Sequence, residues 1–148
     1  MEDVFEDFVT NAFHRHQNKY RVRAQGPQRH FVRFKGQDAY KMKPDIVLVN
    51  HNDDGIQFVL DAKWKRFDGK DIDSKHEITQ PDLYQIYAYS KRYECKTVML
   101  IYPQTQQFKD PLHLHFFEGT SLICMPFDCT QPDESVKQAI QCLNGKVV

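Results

Sequence analysis

Two apolar runs in the middle of the chain carry charges that such runs rarely hold. The first is KMKPDIVLV, residues 41–49, with Asp45 at the head of its aliphatic stretch. The second is IQFVLDAKWK, residues 56–65, with Asp61 and Lys63 near its end. Both are rich in Val, Ile, Leu and Phe and read as buried strands. Asn52-Asp53-Asp54-Gly55 between them is a strong turn signal, so the runs are predicted to pair as a hairpin. Desolvating an unpaired charge is costly, so these charges need partners. Alternation puts Asp61 and Lys63 on one face of their strand and Ala62 on the other. Pairing of the hairpin then brings Asp45 beside Asp61.

The remaining chain supplies a frame for this pair. Val4, Phe5, Phe8, Val9, Ala12 and Phe13 have helical spacing, with acids near the start where they suit the helix dipole. Residues 19–24 and 29–35 alternate basic and apolar, and are predicted as half-solvated antiparallel strands turned at Gln25-Gly26-Pro27. Residues 66–79 are charged, contain few large apolar groups and read as a loop. Pro81 suits a first helical turn, with residues 82–93 as the helix. Residues 97–102 read as another buried strand, and 112–117 and 122–126 as two shorter ones. Pro132 opens a terminal helix reaching Leu143, with Gly145 just past its end. A chain of 148 residues, 41% hydrophobic, suits one domain, 1–148, with a single core. The expected class is α/β, a mixed β-sheet flanked by helices.

No apolar run is long enough to span a membrane, and the start MEDVFEDFV lacks the parts of a signal peptide, so a cytoplasmic location is expected. Cys95, Cys124, Cys129 and Cys142 include no C-x-x-C pair. Cys124 and Cys129 are loosely compatible with a metal, but buried reduced thiols are the plainer expectation. The pairs His14/His16 and His113/His115 lack a third ligand at close spacing for zinc. Formal net charge is zero, yet residues 8–44 hold nine Lys/Arg and one acid, Asp38. Such a segment either attracts a polyanion or simply solvates the surface. Within it, Arg21, Arg23, Arg33, Lys35 and Lys43 are the candidates for positioning a DNA backbone without reading bases.

Two adjoining carboxylates are hard oxygen ligands of the kind Mg²⁺ takes, with Mn²⁺ able to substitute. The Ala62 carbonyl can add a third protein oxygen to Asp45 and Asp61. Bound metal activates water and neutralises charge on a phosphate, and Lys63 can orient that water or stabilise the transition state. The structural alternative is two strand-end acids paired with Lys63, since D-x-K arises readily by chance. Gln85 and Tyr89 are four apart on one helix face, placed to bind phosphate or brace the lysine, or simply to pack. Glu6, between Phe5 and Phe8, can reach the cleft as a further acid; Glu2, one turn earlier, competes, and dipole complementarity accounts for both. Lys70, Lys75 and His76 in the loop can close over DNA or be a solvated connection. Trp64, Phe67 and Phe31 can stack on bases, although Trp64 shares the Ala62 face and is expected to pack in the core.

The succession FEDFV, MKPDIVL, FVLDAKWK and DLYQIYAYSKRY resembles the PD-(D/E)xK nuclease superfamily, and within it the C-terminal nuclease domain of McrC, the cleavage subunit of McrBC-type modification-dependent restriction systems. Glu6 matches the first-helix acid, Asp45 the acid of the "PD" motif, and Asp61 and Lys63 the D-x-K pair. Gln85 and Tyr89 match the Q-x-x-x-Y helix shared with RecB-like nucleases, and Leu100–Pro103 falls where such domains have a core strand. No one motif is specific, but five in order from Val4 to Pro103 are far less expected by chance.

The resemblance implies a restriction-endonuclease-like fold, Mg²⁺-dependent DNA hydrolysis and an AAA+ GTPase partner, McrB. McrC proteins usually carry an N-terminal partner-binding domain, whereas here the catalytic helix begins at Met1; the chain is expected to be either an excised domain or a reduced standalone relative. It has no G-x-x-x-x-G-K-[ST] loop and so is not itself the motor. A double-strand break needs two active sites unless one acts twice, which a homodimer would supply. The rivals are a RecB-like exonuclease, a CRISPR-associated nuclease and a non-catalytic DNA-binding or assembly module. The CRISPR-associated type usually has cysteines on both sides of the core, and none precedes Cys95 here. A non-catalytic module would be marked by a broken Asp45-Asp61-Lys63 set.

Overall fold

The computed structural model describes residues 1–69 and 78–145; the loop cations Lys70, Lys75 and His76 lie outside the described residues. Helix α1 (Glu2–His16) is followed by β1 (Arg21–Ala24), β2 (Arg29–Phe34), β3 (Gln37–Met42), β4 (Ile46–Val49) and β5 (Ile56–Ala62). Helix α2 (Gln80–Arg92), β6 (Thr97–Pro103), β7 (Leu112–His115), β8 (Ser121–Phe127) and α3 (Pro132–Leu143) follow. Six strands form one mixed sheet in the order β1-β4-β5-β6-β8-β7. β4 and β5 are the antiparallel hairpin, while β5, β6 and β8 run parallel. A mixed sheet flanked by helices in this way is consistent with a restriction-endonuclease-like fold.

Alternation along the central strands decides which helix each residue meets. Ile46, Leu48, Leu60, Ala62, Met99 and Ile101 pack with Phe5, Val9 and Phe13 of α1 and with Val136 and Ala139 of α3. Val47, Val49, Val59, Val98 and Leu100 pack instead with Ile86 and Tyr89 of α2 and with Tyr93 just beyond it. Burial on both faces explains why these strands are nearly continuous apolar runs. It also sends Asp61 and Lys63 toward α2, and Ala62 toward α1. Trp64 follows Ala62 to the α1 side, its ring centroid 5.4 Å from Phe5. It is 42% exposed rather than in the core, because β5 has ended at Ala62. Phe67 is also not a base-stacking group: it is 2% exposed and stacked on Tyr102 at 4.8 Å.

Residues 19–24 and 29–35 do not pair with one another. β1 joins the sheet edge beside β4, and β2 pairs with β3 in a separate two-stranded ribbon. Charge and alternation made both segments look like one hairpin. The actual turn is Lys35-Gly36, whose φ values of 51° and 77° give the left-handed pair a two-residue hairpin loop requires. Lys-Gly is not among the usual turn pairs, and QDAYKM has no apolar alternation, so β3 escapes a sequence pattern.

Candidate active site

The register of the hairpin sets Ile46 across from Leu60, so the residues flanking that pair, Asp45 and Asp61, meet where the two strands open. The Asp45 N–H donates to Asp61 Oδ1 at 3.3 Å, and the Ala62 N–H donates to Asp45 Oδ2 at 2.9 Å. Pro44 is buried and fixes the backbone just before Asp45. Because the Ala62 N–H points to Asp45 while the Lys63 N–H reaches the Ile101 carbonyl at 2.8 Å, the Ala62 carbonyl lies on the Asp45 edge of the strand.

Asp61 is 3% exposed. Burial pushes Asp45 up to about 9; the Asp61 charge, a hydrogen bond shared with Asp61 and the Glu6 charge add to the rise, while the Ala62 N–H works against it. Two desolvated carboxylates in contact do not both hold a charge unless cations join them. Lys63 is one such cation. Its Nζ lies 2.7 Å from Asp61 Oδ2, 2.8 Å from Gln85 Oε1 and 3.7 Å from Asp82 Oδ1. Burial alone would lower its pKa, but Asp61, Asp82 and Asp45 outweigh that and raise it. Lys63 is therefore a fixed ammonium donor, not a general base near neutral pH.

Gln85 and Tyr89 arrive together from α2, as their spacing predicts. Gln85 braces the lysine. Tyr89 is buried and its phenol is raised, first by burial and then by Asp61 and Asp45, so it stays a neutral group beside the carboxylates. Glu6 Oε1 accepts from Gln25 Nε2 at 2.7 Å, and the Gln25 N–H donates to the Asp45 carbonyl at 2.8 Å. Gln25 thus links α1 to Asp45. Glu2 instead accepts from the Trp64 N–H at 2.8 Å. Of the two competing helix acids, Glu6 is the one whose charge bears on Asp45.

Asp82 escapes the sequence. Three residues after Thr79, it looks like an ordinary helix-start acid, and its N–H does donate to Thr79 Oγ1 at 3.3 Å. Its carboxylate, however, is buried and also lies 2.7 Å from Lys65 Nζ. Lys63 and Lys65, two apart just past the end of β5, were the available signal that an acid must face them.

Among the described residues no three His, Cys, Asp or Glu side chains are placed together to hold a metal ion. The site offers a carboxylate pair, which suits Mg²⁺ when waters and a substrate phosphate fill its remaining positions. His14 and His16 end α1, and His115 Nδ1 meets Ser121 Oγ at 3.3 Å. Cys95, Cys124 and Cys142 are buried free thiols and Cys129 is an exposed one. Burial pushes Cys95 up to about 11 and Cys124 to about 12, as in inert core thiols. The basic candidates are divided among the sheet edge, the ribbon and the link to Asp45. Arg21 and Arg23 lie on the sheet-edge strand β1, with Arg21 paired to Asp54. Arg33 and Lys35 belong to the ribbon, and Lys43 is exposed in the link from β3 to Asp45.

Fold and site together define a class: a mixed α/β domain with two carboxylates and a lysine gathered at the open end of a sheet hairpin. Residues 1–103 match the family described as McrBC 5-methylcytosine restriction system component, a span that includes α1, both strands of the hairpin and α2. The chain belongs to that family, and so to the components of restriction systems. No curated protein matches it. Among the described residues no helix is long and apolar enough to cross a membrane.

Proposed function

We propose that this chain is the cutting part of its restriction system, a Mg²⁺-dependent endonuclease that hydrolyses DNA phosphodiesters alongside a McrB-like AAA+ GTPase. The observation that carries the reading is the Asp45–Asp61 contact. Lys63 pairs with Asp61 and Asp82, and Lys65 with Asp82, while Asp45 meets Asp61 with no ion pair to a lysine among the described residues. The cluster therefore has room for a divalent cation. Asp45, Asp61 and the Ala62 carbonyl would hold it, with Glu6 in support through water. A bound Mg²⁺ or Mn²⁺ would lower the pKa of its water and neutralise charge on the phosphate.

The other groups act on the phosphate and the attacking water. Lys63, kept protonated, donates to the developing negative charge or orients the water. Gln85 and Asp82 hold its Nζ in place. Tyr89 remains neutral and shapes the wall of the site. Selection of a modified base is assigned to another subunit or domain, because these polar groups are engaged with metal and phosphate.

The test is cleavage of covalently closed circular DNA in Mg²⁺ and in EDTA, with and without the GTPase partner. Nicked or linear products only in Mg²⁺ are expected. Degradation restricted to linear DNA would favour an exonuclease, and no metal-dependent product under either condition would leave a non-catalytic module. Asp82→Asn is expected to lower the single-turnover rate by about 10–100-fold, as loss of an outer partner does. An unchanged rate would remove Asp82 from the site.

A further inference from the structure

The β2–β3 ribbon lies outside the six-stranded sheet, and among the described residues its hydrogen bonds to the rest of the domain are at its root. There Met42 is buried, Arg29 Nη1 donates to the Arg92 carbonyl at 3.1 Å, and Arg92 Nε donates to the His30 carbonyl at 2.7 Å. Beyond that anchor the ribbon is bare: Phe31 is 51%, Phe34 63% and Tyr40 78% exposed. Large aromatics left in water call for a partner. Residues 29–42 hold four Lys/Arg against one acid, Asp38; Arg29 is held at the root and Arg33 lies 3.7 Å from Asp38, so the excess charge rests on Lys35 and Lys41 and suits an anionic partner. Protein-binding surfaces are poor in lysine, whereas cations interleaved with aromatics suit nucleic acid.

Two further observations point the same way. Lys35 occupies a left-handed turn position, φ 51°, that Asn, Asp or Gly fills at lower cost. The turn thus carries a positive charge at its tip, with Lys35 Nζ 5.3 Å from the centre of the Phe34 ring. The ribbon's root is also three residues from Asp45. A six-residue strand at about 3.3 Å per residue makes an arm roughly 20 Å long. That reaches along roughly six base pairs of a duplex held at the site, and a two-stranded ribbon fits the major groove.

We propose that β2–β3 is an arm that enters a groove of the duplex being cut, with Arg33, Lys35 and Lys41 on phosphates and Phe34, which the register places on the Lys41 face, against the bases. The proposal rests on DNA being the substrate of the Asp45–Asp61 site. Its test is binding of a short duplex carrying 2-aminopurine, by anisotropy and fluorescence across a salt series in EDTA, where no cutting occurs. The variant with Arg33→Glu, Lys35→Glu and Lys41→Glu is expected to bind about 10–100-fold more weakly, with a salt slope shallower by about 2–3. The Phe34→Ser variant should lose the 2-aminopurine change and keep the slope, whereas Tyr40→Ser, on the opposite face, should keep both.

Should any of these variants fold poorly, Lys35→Asn removes the tip charge while relieving the turn. It is expected to melt higher than wild type yet bind DNA with a slope shallower by about 1. Wild-type affinity and slope in the charge variants overturn the arm, even where the protein still cuts DNA in Mg²⁺. The same result with an altered association state in sedimentation makes the ribbon a protein interface and overturns it equally. A wild-type chain that neither binds nor cuts DNA sinks the nuclease reading first.

Discussion

Asp61→Asn is expected to lower Mg²⁺-dependent DNA cleavage by on the order of 10³-fold while leaving the fold in place. Asp61 has two roles in the proposed reaction: it shares the metal with Asp45, and it holds Lys63 Nζ at 2.7 Å. An amide does neither well. It does keep an oxygen for the Asp45 N–H, so the mouth of the hairpin survives. Lys63 also retains Gln85 and Asp82. Melting temperature and far-UV circular dichroism should therefore stay close to wild type. Alanine is a poorer choice, because it leaves the Asp45 N–H without its acceptor and adds a stability loss of about 1–3 kcal/mol. Full metal-dependent cleavage by the asparagine variant would remove Asp61 from the mechanism. Loss of cleavage together with loss of fold would make the pair a structural ion cluster.

The residues of this site differ in how well the sequence announces them, and the difference is one of range. Asp61, Ala62 and Lys63 lie on one strand, so the period-two alternation fixes their faces without any tertiary knowledge. Asp45 follows from one further step, the turn at residues 52–55 that sets the register. Gln85 and Tyr89 follow from helical spacing, although the bond from Lys63 to Gln85 crosses from strand to helix and needs the fold. Asp82 needs it entirely, since locally it is only an acid in a first helical turn. Phe67 sits in a charged segment, yet its burial comes from Tyr102 and Phe108, which the chain brings back much later. The basic segment shows the converse. Its charges are neighbours in sequence, but the chain divides them between the sheet edge and a separate ribbon because β1 pairs with β4 rather than with β2. The identity of β1 and β2 was legible there and their partnership was not, since several exposed basic strands satisfy the same alternation.

Asp45→Asn is expected to abolish cleavage and yet stabilise the metal-free protein. Burial and the adjoining Asp61 raise the Asp45 pKa from an ordinary 3.8 to about 9. In the unfolded chain the group ionises at its ordinary value, so between about pH 4 and pH 9 the unfolded state binds fewer protons than the folded one. Stability then falls as pH rises through that window and levels off above it. Asparagine imitates the protonated acid: its oxygen can accept from the Ala62 N–H and its amide can donate to Asp61, with no proton to lose. Each tenfold change in the ionisation equilibrium is worth about 1.4 kcal/mol. For a chain of this size that moves Tm by about 3–6 °C. In EDTA at pH 8 the variant should therefore melt at least that much higher than wild type, and the gap should shrink toward pH 5. Saturating Mg²⁺ should close it from the other side, because a cation that binds only the wild-type pair stabilises only the wild type. A variant that melts lower than wild type in EDTA at pH 8 would mean that the protein's own lysines already neutralise both carboxylates. The site would then have no need of a metal, and the case for metal-dependent hydrolysis would lose its physical basis.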